Sequence, residues 1–104
     1  MAKTEPQYRL TPAALSDLES IWLYTRDRWT ADQADSYVEA LQATFDTLLT
    51  MPQIARERRE FSPPVRIHPS AGHVVIYVTT GHGLTILRVL GRRQNWQAIL
   101  DDDA

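Results

Sequence analysis

The side chains of this 104-residue chain that could do chemistry together are cationic, titratable or phenolic, and they lie in its second half: Arg66, His68, His73, Tyr77, Arg88 and Arg93. Such a set suits an RNA phosphate, because cleavage by a 2′-hydroxyl needs a base, an acid and cations for the charge that develops. Arginine supplies the cations, but with a pKa above about 12 it is a poor base, and only histidine titrates near neutrality. Tyr77 lies in an apolar run and is equally suited to a core. The set is therefore incomplete as an active site and adequate as a binding surface.

Metal and cofactor chemistry have no support in the spacing of the residues. His68, His73 and His82 lie in or beside turns, share no helix face and have no cysteine to assist them, so local hydrogen bonding is favoured over metal binding. No phosphate-loop, zinc-protease or serine-hydrolase motif occurs. The carboxylates of the helical half are predicted to face solvent: Asp17, Glu19, Asp27, Asp32, Asp35, Glu39 and Asp46. We predict no cofactor-binding and no metal-binding residue.

The net charge of −2 hides a polarity along the chain. Residues 1–52 hold four Lys or Arg against eight Asp or Glu, whereas residues 53–100 hold seven Arg against two Glu. Arginine forms forked contacts with carboxylates and phosphates. The arginines on or just after predicted strands are candidates for binding: Arg66, Arg88, Arg92 and Arg93. A stand-alone nucleic-acid binder is disfavoured, because an overall charge of −2 lacks the basic footprint of such domains.

Length and composition predict one domain over residues 1–104 with a single modest core. The chain has no cysteine, which excludes disulfides and fits a reducing compartment. No apolar stretch approaches the roughly 20 residues that span a bilayer, and the N-terminus lacks the apolar core of a signal peptide. We therefore expect a soluble, cytoplasmic protein.

Two amphipathic helices are predicted in the first half of the chain. Thr11-Pro12 is a helix start, with Thr11 as the N-cap, and Thr30 followed three positions later by Gln33 fits a second one. The first helix has apolar residues at helical spacing that are predicted to pack: Leu15, Leu18, Ile21, Trp22, Thr25 and Trp29. The second has Ala34, Tyr37, Val38, Leu41, Phe45, Leu48 and Leu49, and ends before Pro52. The short connection predicts an antiparallel helical hairpin.

The second half predicts a small sheet. Strands are expected at 65–68, 73–79 and 84–90, separated by turns short enough for antiparallel hairpins, and 8–10 forms a further extended segment. The strand at 73–79 is apolar on both faces and belongs at the centre. Residues 53–64 are expected to form a charged loop or a frayed turn. The predicted fold class is therefore α+β, in the order β-α-α-β-β-β, with the hairpin on one face of an antiparallel sheet and a short C-terminal helical turn at 96–100.

Four segments together resemble the ParE toxins of the ParE/RelE superfamily. They are Tyr-Arg-Leu-Thr-Pro-Ala-Ala at 8–14, Asp-Leu-Glu-Ser-Ile-Trp-Leu-Tyr at 17–24, the helix predicted at 34–48 and, above all, Ile-Leu-Arg-Val-Leu-Gly-Arg-Arg at 86–93. The likeness runs over about residues 8–100 and implies the same β-α-α-β-β-β fold. It also implies a toxin of a type II toxin–antitoxin module, neutralised by a ParD-like antitoxin that itself contacts operator DNA. ParE members are associated with inhibition of DNA gyrase, whereas RelE-like relatives cut messenger RNA on the ribosome.

One departure bears on the activity. RelE-like nucleases usually carry a catalytic Tyr or His after the last strand, whereas residues 91–96 of this chain read Gly-Arg-Arg-Gln-Asn-Trp. The resemblance therefore favours a non-enzymatic gyrase inhibitor, with a ribosome-dependent mRNA endonuclease as the alternative. No catalytic residue is assigned.

An antitoxin segment is expected to lay apolar side chains into grooves and to pair its carboxylates with arginines. The candidate partner-binding residues for antitoxin or target are Leu23, Tyr24, Arg66, Arg88, Arg92, Arg93 and Trp96. Trp96 is equally suited to anchoring the C-terminus on the core.

Overall fold

Helices and strands follow the predicted order in the computed structural model, which describes residues 7–103. The elements are β1 (Gln7–Leu10), α1 (Pro12–Arg28), α2 (Ala31–Thr50), β2 (Glu57–Arg58), β3 (Val65–Ser70), β4 (His73–Thr80), β5 (Gly83–Gly91) and α3 (Trp96–Asp103), with a 3₁₀ turn at Pro52–Ile54 after α2. The α+β class and the helical hairpin are confirmed. The strand β2, which lies within the expected loop, was not predicted, and α3 is longer than one turn.

The predicted helix starts are confirmed by their caps. The side-chain oxygen of Thr11 accepts a hydrogen bond from the Ala14 backbone N–H at 3.0 Å. Thr30 does the same for the backbone N–H of Gln33 at 3.0 Å. Each cap satisfies a backbone donor that has no partner inside its helix, so these threonines fix where both helices of the hairpin begin.

The sheet has the strand order β1-β5-β4-β3-β2, which places the apolar β4 at its centre as predicted. Strands β2 to β5 pair antiparallel. The exception to the predicted antiparallel sheet is β1, which pairs parallel with β5, from Gln7 opposite Gly83 to Leu10 opposite Ile86. Gly83 has φ +146°, and a Cβ there would collide with the Gln7 carbonyl oxygen. Glycine is therefore required where this parallel pairing begins.

Both faces of the sheet are covered. The helix-side cluster joins α1 and α2 to one face through fully buried side chains such as Leu41, Phe45 and Tyr77. The opposite cluster consists of Phe61, Val65, Val74, Ile76 and Leu90, with Trp96, Ile99 and Leu100 of α3 packed against it. The C-terminal helix thus covers the sheet face that the hairpin leaves open.

The predicted packing stripe of α1 is only partly correct. Leu18 and Ile21 are buried, but Leu15 is 54% and Trp29 71% exposed. Trp29 is exposed because α1 ends at Arg28, so Trp29 is its C-cap rather than part of its buried face. Trp22 is half-buried, and its indole N–H donates to Asp35 of α2 at 2.8 Å.

Candidate functional site

The start of α1 takes the place of a strand beside the second half of β5. Ile86 is the last residue of β5 that pairs with β1. Beyond it, the Thr11 hydroxyl donates to the Leu87 carbonyl at 2.7 Å. The Asp17 carboxylate accepts the backbone N–H of Val89 at 2.9 Å. The side chains of α1 thus satisfy backbone groups of β5 that β1 does not reach.

Arg88 forms a forked ion pair with Asp17. Its Nε lies 2.8 Å and its Nη2 2.9 Å from the two carboxylate oxygens, and the side chains are only 18% and 13% exposed. The prediction that Asp17 faces solvent is wrong. Its burial could not be read from residue spacing, because its partners on β5 are far away in sequence. We therefore assign Arg88 to the stability of the fold rather than to the arginine surface predicted for a partner.

Arg66 and Tyr77, neighbours across β3 and β4, both bind the segment after α2. Arg66 donates to the Ala55 carbonyl at 2.6 Å, and the Tyr77 hydroxyl donates to the Pro52 carbonyl at 2.8 Å. Tyr77 is fully buried, and that burial raises the pKa of its phenol. Both side chains thus hold the segment after α2 against the sheet.

Arg92 and Arg93, here called the arginine pair, follow β5 and are exposed. Two backbone N–H groups fix the turn that carries them. The Arg92 N–H donates to the Gly72 carbonyl at 3.1 Å, and the Gly91 N–H donates to the side-chain oxygen of Gln94 at 2.6 Å. Within the described part of the chain, neither guanidinium makes a hydrogen bond or an ion pair. Of the four arginines predicted to bind a partner, this pair has its charge available.

The outer face of α1 presents large apolar side chains to solvent. Leu23 is 40% and Tyr24 61% exposed, and Trp29 extends this surface. The Arg28 guanidinium lies over the Tyr24 ring, 5.2 Å from its centre. Trp29 was missed as a surface residue, and the signal that would have found it is its place in the short connection between the helices.

A concave region, here called the aromatic cleft, lies between the two helices and the start of β4. It encloses about 360 Å³ and is lined by Ser20, Ile21, Tyr24, Thr25, Trp29, Tyr37 and His73. Tyr37 and His73 meet edge to face, with their ring centres 5.5 Å apart. The cleft therefore combines exposed aromatic faces with a titratable side chain at its wall.

The Tyr37 hydroxyl forms hydrogen bonds with both Gly72 and His73. The Gly72 N–H donates to the Tyr37 oxygen at 3.3 Å, and that oxygen lies 2.7 Å from His73 Nδ1. A hydroxyl oxygen can accept two hydrogen bonds, so the direction of the bond between Tyr37 and His73 depends on the tautomer of the histidine. Burial lowers the pKa of His73, against a smaller raising effect from Asp17. At neutral pH the cleft thus has an uncharged imidazole in its wall.

This lowered pKa predicts a stability that depends on pH. Below about pH 6.5, the ordinary histidine pKa, the unfolded chain binds more protons at this position than the folded chain does, so stability falls as the pH falls. Urea unfolding of wild type and of His73→Gln between pH 7.5 and 5.5 measures this contribution. We expect the wild type to lose more stability over that range; parallel losses would show that His73 does not contribute.

Trp96 lies in the cluster on the sheet face opposite the hairpin. It is half-buried, and its indole N–H donates to the Arg92 carbonyl at 3.3 Å. The Arg58 guanidinium lies 6.0 Å from the ring centre. Of the two roles considered for it, anchoring the C-terminal helix is the one that these contacts describe.

Among the side chains that the structure describes, His, Asp and Glu form no group of three or more that could hold a metal ion. No described helix combines the length and apolar character needed to cross a membrane.

The sequence is similar to those of known toxins. A family model, the ParE toxin of the type II toxin–antitoxin system parDE, matches residues 8–96. Toxin ParE1 of Mycobacterium tuberculosis is 39% identical over 90 residues, which cover 86% of this chain and 92% of that protein. Toxin ParE1 of Caulobacter vibrioides is 36% identical over 93 residues, with 89% and 96% coverage. A chain from the chromosomal ParDE system of P. aeruginosa shares the fold, with a TM-score of 0.72 at 18% identity, covering 86% of this chain and 98% of its own.

Proposed function

This chain belongs to the ParE toxin family of type II toxin–antitoxin systems, and from that premise we propose that it arrests growth by binding DNA gyrase in the cytoplasm until a ParD-like antitoxin holds it. The P. aeruginosa protein of the same fold comes from a ParDE system, which supports an antitoxin partner. The toxin contacts operator DNA only through that antitoxin.

The hydrogen bonds of the side chains considered for RNA cleavage support inhibition by binding rather than by cleavage. A nuclease needs a general base and cations that reach the phosphate. The Tyr77 hydroxyl is buried on the Pro52 carbonyl, Arg66 is bound to a backbone carbonyl, and Arg88 is paired with Asp17. These side chains stabilise the fold, and this observation carries the preference for a binding protein over an mRNA endonuclease.

Two assays on the same purified toxin test this proposal. We expect supercoiling by gyrase to fall as toxin is added, and to recover when the toxin is first mixed with the antitoxin encoded beside it. Translation of a defined mRNA, with its ends mapped, should show no new cleavage. Cut codons together with unaffected supercoiling would overturn the proposal in favour of the endonuclease.

The arginine pair provides a residue-level version of this test. The double variant Arg92→Glu, Arg93→Glu reverses two exposed charges, and we expect it to weaken gyrase inhibition at least tenfold, since close like charges at an interface are repulsive. The matched control is Arg56→Glu with Arg59→Glu, which makes the same charge change at other exposed positions. Equal inhibition by both double variants would exclude the arginine pair from the target surface.

A further inference from the structure

The strand β5 carries one more residue than its neighbour β4 can pair. Arg88 lies opposite Ile76, but the next residue of β4, Tyr77, lies opposite Ile86. Leu87 therefore has no partner on β4, which is the arrangement of a β-bulge. Bulges change the direction of a strand and of the side chains on it, and this one precedes the turn that carries the arginine pair.

The bulge decides which face of the sheet each later residue of β5 presents. Side chains alternate along a strand, so residues three positions apart face opposite sides of a regular sheet. Ile86 and Val89 nevertheless both pack in the helix-side cluster, and Leu87 and Leu90 both pack with the opposite cluster. The extra residue thus reverses the alternation from that point to the end of the strand.

Two side chains of the segment that begins α1 hold the bulge on the edge of β5 away from β4. The Thr11 hydroxyl donates to the carbonyl of the extra residue, Leu87, at 2.7 Å. One oxygen of the Asp17 carboxylate accepts the Val89 backbone N–H at 2.9 Å and Arg88 Nε at 2.8 Å, and the other accepts Arg88 Nη2 at 2.9 Å. Asp17 is thus bonded to both residues that follow the extra one.

Hydrogen bonds attach the turn of the arginine pair to the end of β5. The N–H of Gly91, the last residue of the strand, donates to the Gln94 side chain at 2.6 Å, and the Arg92 N–H donates to the Gly72 carbonyl at 3.1 Å. Only two residues separate Val89 from the arginine pair. A change of strand direction at the bulge therefore moves this turn and the two guanidinium groups on it.

We infer that Asp17 is a positioning residue for gyrase inhibition, because it holds the bulge at Leu87 in the form that directs the arginine pair towards the target. The inference rests on the proposed function, since it concerns how the toxin presents the cations proposed there to meet gyrase. It gives the ion pair between Asp17 and Arg88 a role beyond stability. A carboxylate on the first helix sets the direction of two charges at the end of the last strand.

The variant Asp17→Asn changes the bonds at the bulge and leaves the arginine pair in place. The carboxylate offers two oxygens to three donors, which belong to Arg88 and Val89. The amide offers one oxygen and turns an NH₂ group towards those donors, so at least one of the bonds is lost. The bulge is then free to change its twist.

Two measurements on this variant test the inference. In supercoiling assays, Asp17→Asn should need about tenfold more folded toxin than wild type for equal inhibition, because misdirected charges no longer match the target. The direction of the turn is measured between spin labels on Arg93→Cys and Glu39→Cys, two exposed positions in a chain that has no cysteine of its own. Adding Asp17→Asn to the labelled protein should shift or broaden the distance distribution.

Leu48→Val and Leu48→Ala are the controls for lost stability. Leu48 on α2 is fully buried, so these changes open a smaller and a larger cavity without removing a hydrogen bond of β5. The control whose urea midpoint is closer to that of Asp17→Asn is compared with it. Per folded molecule it should inhibit gyrase as wild type does, and it should leave the distance between the labels unchanged.

The outcomes separate the two proposals. If wild type inhibits gyrase and Asp17→Asn inhibits as well as its control, the positioning role is refuted while the proposed function stands. Weaker inhibition with an unchanged label distance also refutes it, since Asp17 would then act by another route than the turn. If wild type does not inhibit gyrase, the proposed function fails, and the positioning role fails with it.

Discussion

Replacing Asp17 by alanine is expected to lower the free energy of unfolding by about 3–5 kcal/mol, the loss typical when one partner of a buried ion pair is removed. The substitution leaves the Arg88 guanidinium, 18% exposed, without its carboxylate. It also removes the acceptor for the Val89 backbone N–H, which β1 does not reach. Urea denaturation, followed by circular dichroism, measures the change.

The matched control is Asp27→Ala on the same helix. Asp27 pairs with Arg26 at 2.9 Å, but these side chains are 67% and 46% exposed. Water screens such pairs, so the expected loss is below about 1 kcal/mol. Asp17→Asn should fall between the two, since its amide oxygen still accepts a hydrogen bond while its charge is gone. Similar losses for Asp17→Ala and Asp27→Ala would mean that the joint between α1 and β5 contributes little.

The parts of the fold that the sequence predicted are those set by local signals. The caps at Thr11 and Thr30 depend on donors three residues away, so their side chains are enough to identify them. The apolar run of β4 places that strand at the sheet centre because it has no polar face to turn to water. By contrast, β2 has only two residues, too few for any periodic pattern. The parallel pairing of β1 depends on Gly83, far along the chain.

The candidate site depends on distant contacts and was predicted less well. Arg88 and Asp17 lie 71 positions apart, and Tyr37 and His73 lie 36 apart, so residue spacing cannot reveal either pair. In the sequence, an arginine on a predicted strand looks the same whether its side chain meets a partner protein or a carboxylate inside the fold. The exposed side chains of α1, Leu23 and Tyr24, were identified because helical periodicity places them away from the buried stripe. Periodicity failed at Trp29, since it does not show where the helix ends.

The family resemblance found in four segments agrees with the family model that matches residues 8–96. Three of those segments contain the joint between α1 and β5. Residues 8–14 hold β1 and the cap of α1, 17–24 hold Asp17 and the exposed face of α1, and 86–93 hold Arg88 and the arginine pair. These three segments thus meet at the joint between α1 and β5, which also positions the arginine pair.

Phe45→Ala should cost about 3–5 kcal/mol of stability, as large-to-small changes of buried aromatics do. Phe45 on α2 is fully buried in the helix-side cluster and meets the Tyr8 ring of β1 edge to face, with ring centres 5.4 Å apart. Its loss leaves a cavity between the hairpin and the sheet edge. Because total stability in small domains is about 5–15 kcal/mol, this variant should melt well below wild type or fail to fold.

The exposed Leu15→Ala, also an apolar truncation on the hairpin, separates cavity formation from a general effect of shortening side chains. We expect it to change stability by less than about 0.5 kcal/mol, as surface substitutions do. Thermal melting of both variants beside wild type is sufficient. If Phe45→Ala melted like wild type, α2 would have to present another face to the sheet. The aromatic cleft, which depends on Tyr37 two turns earlier on the same helix, would then be misplaced as well.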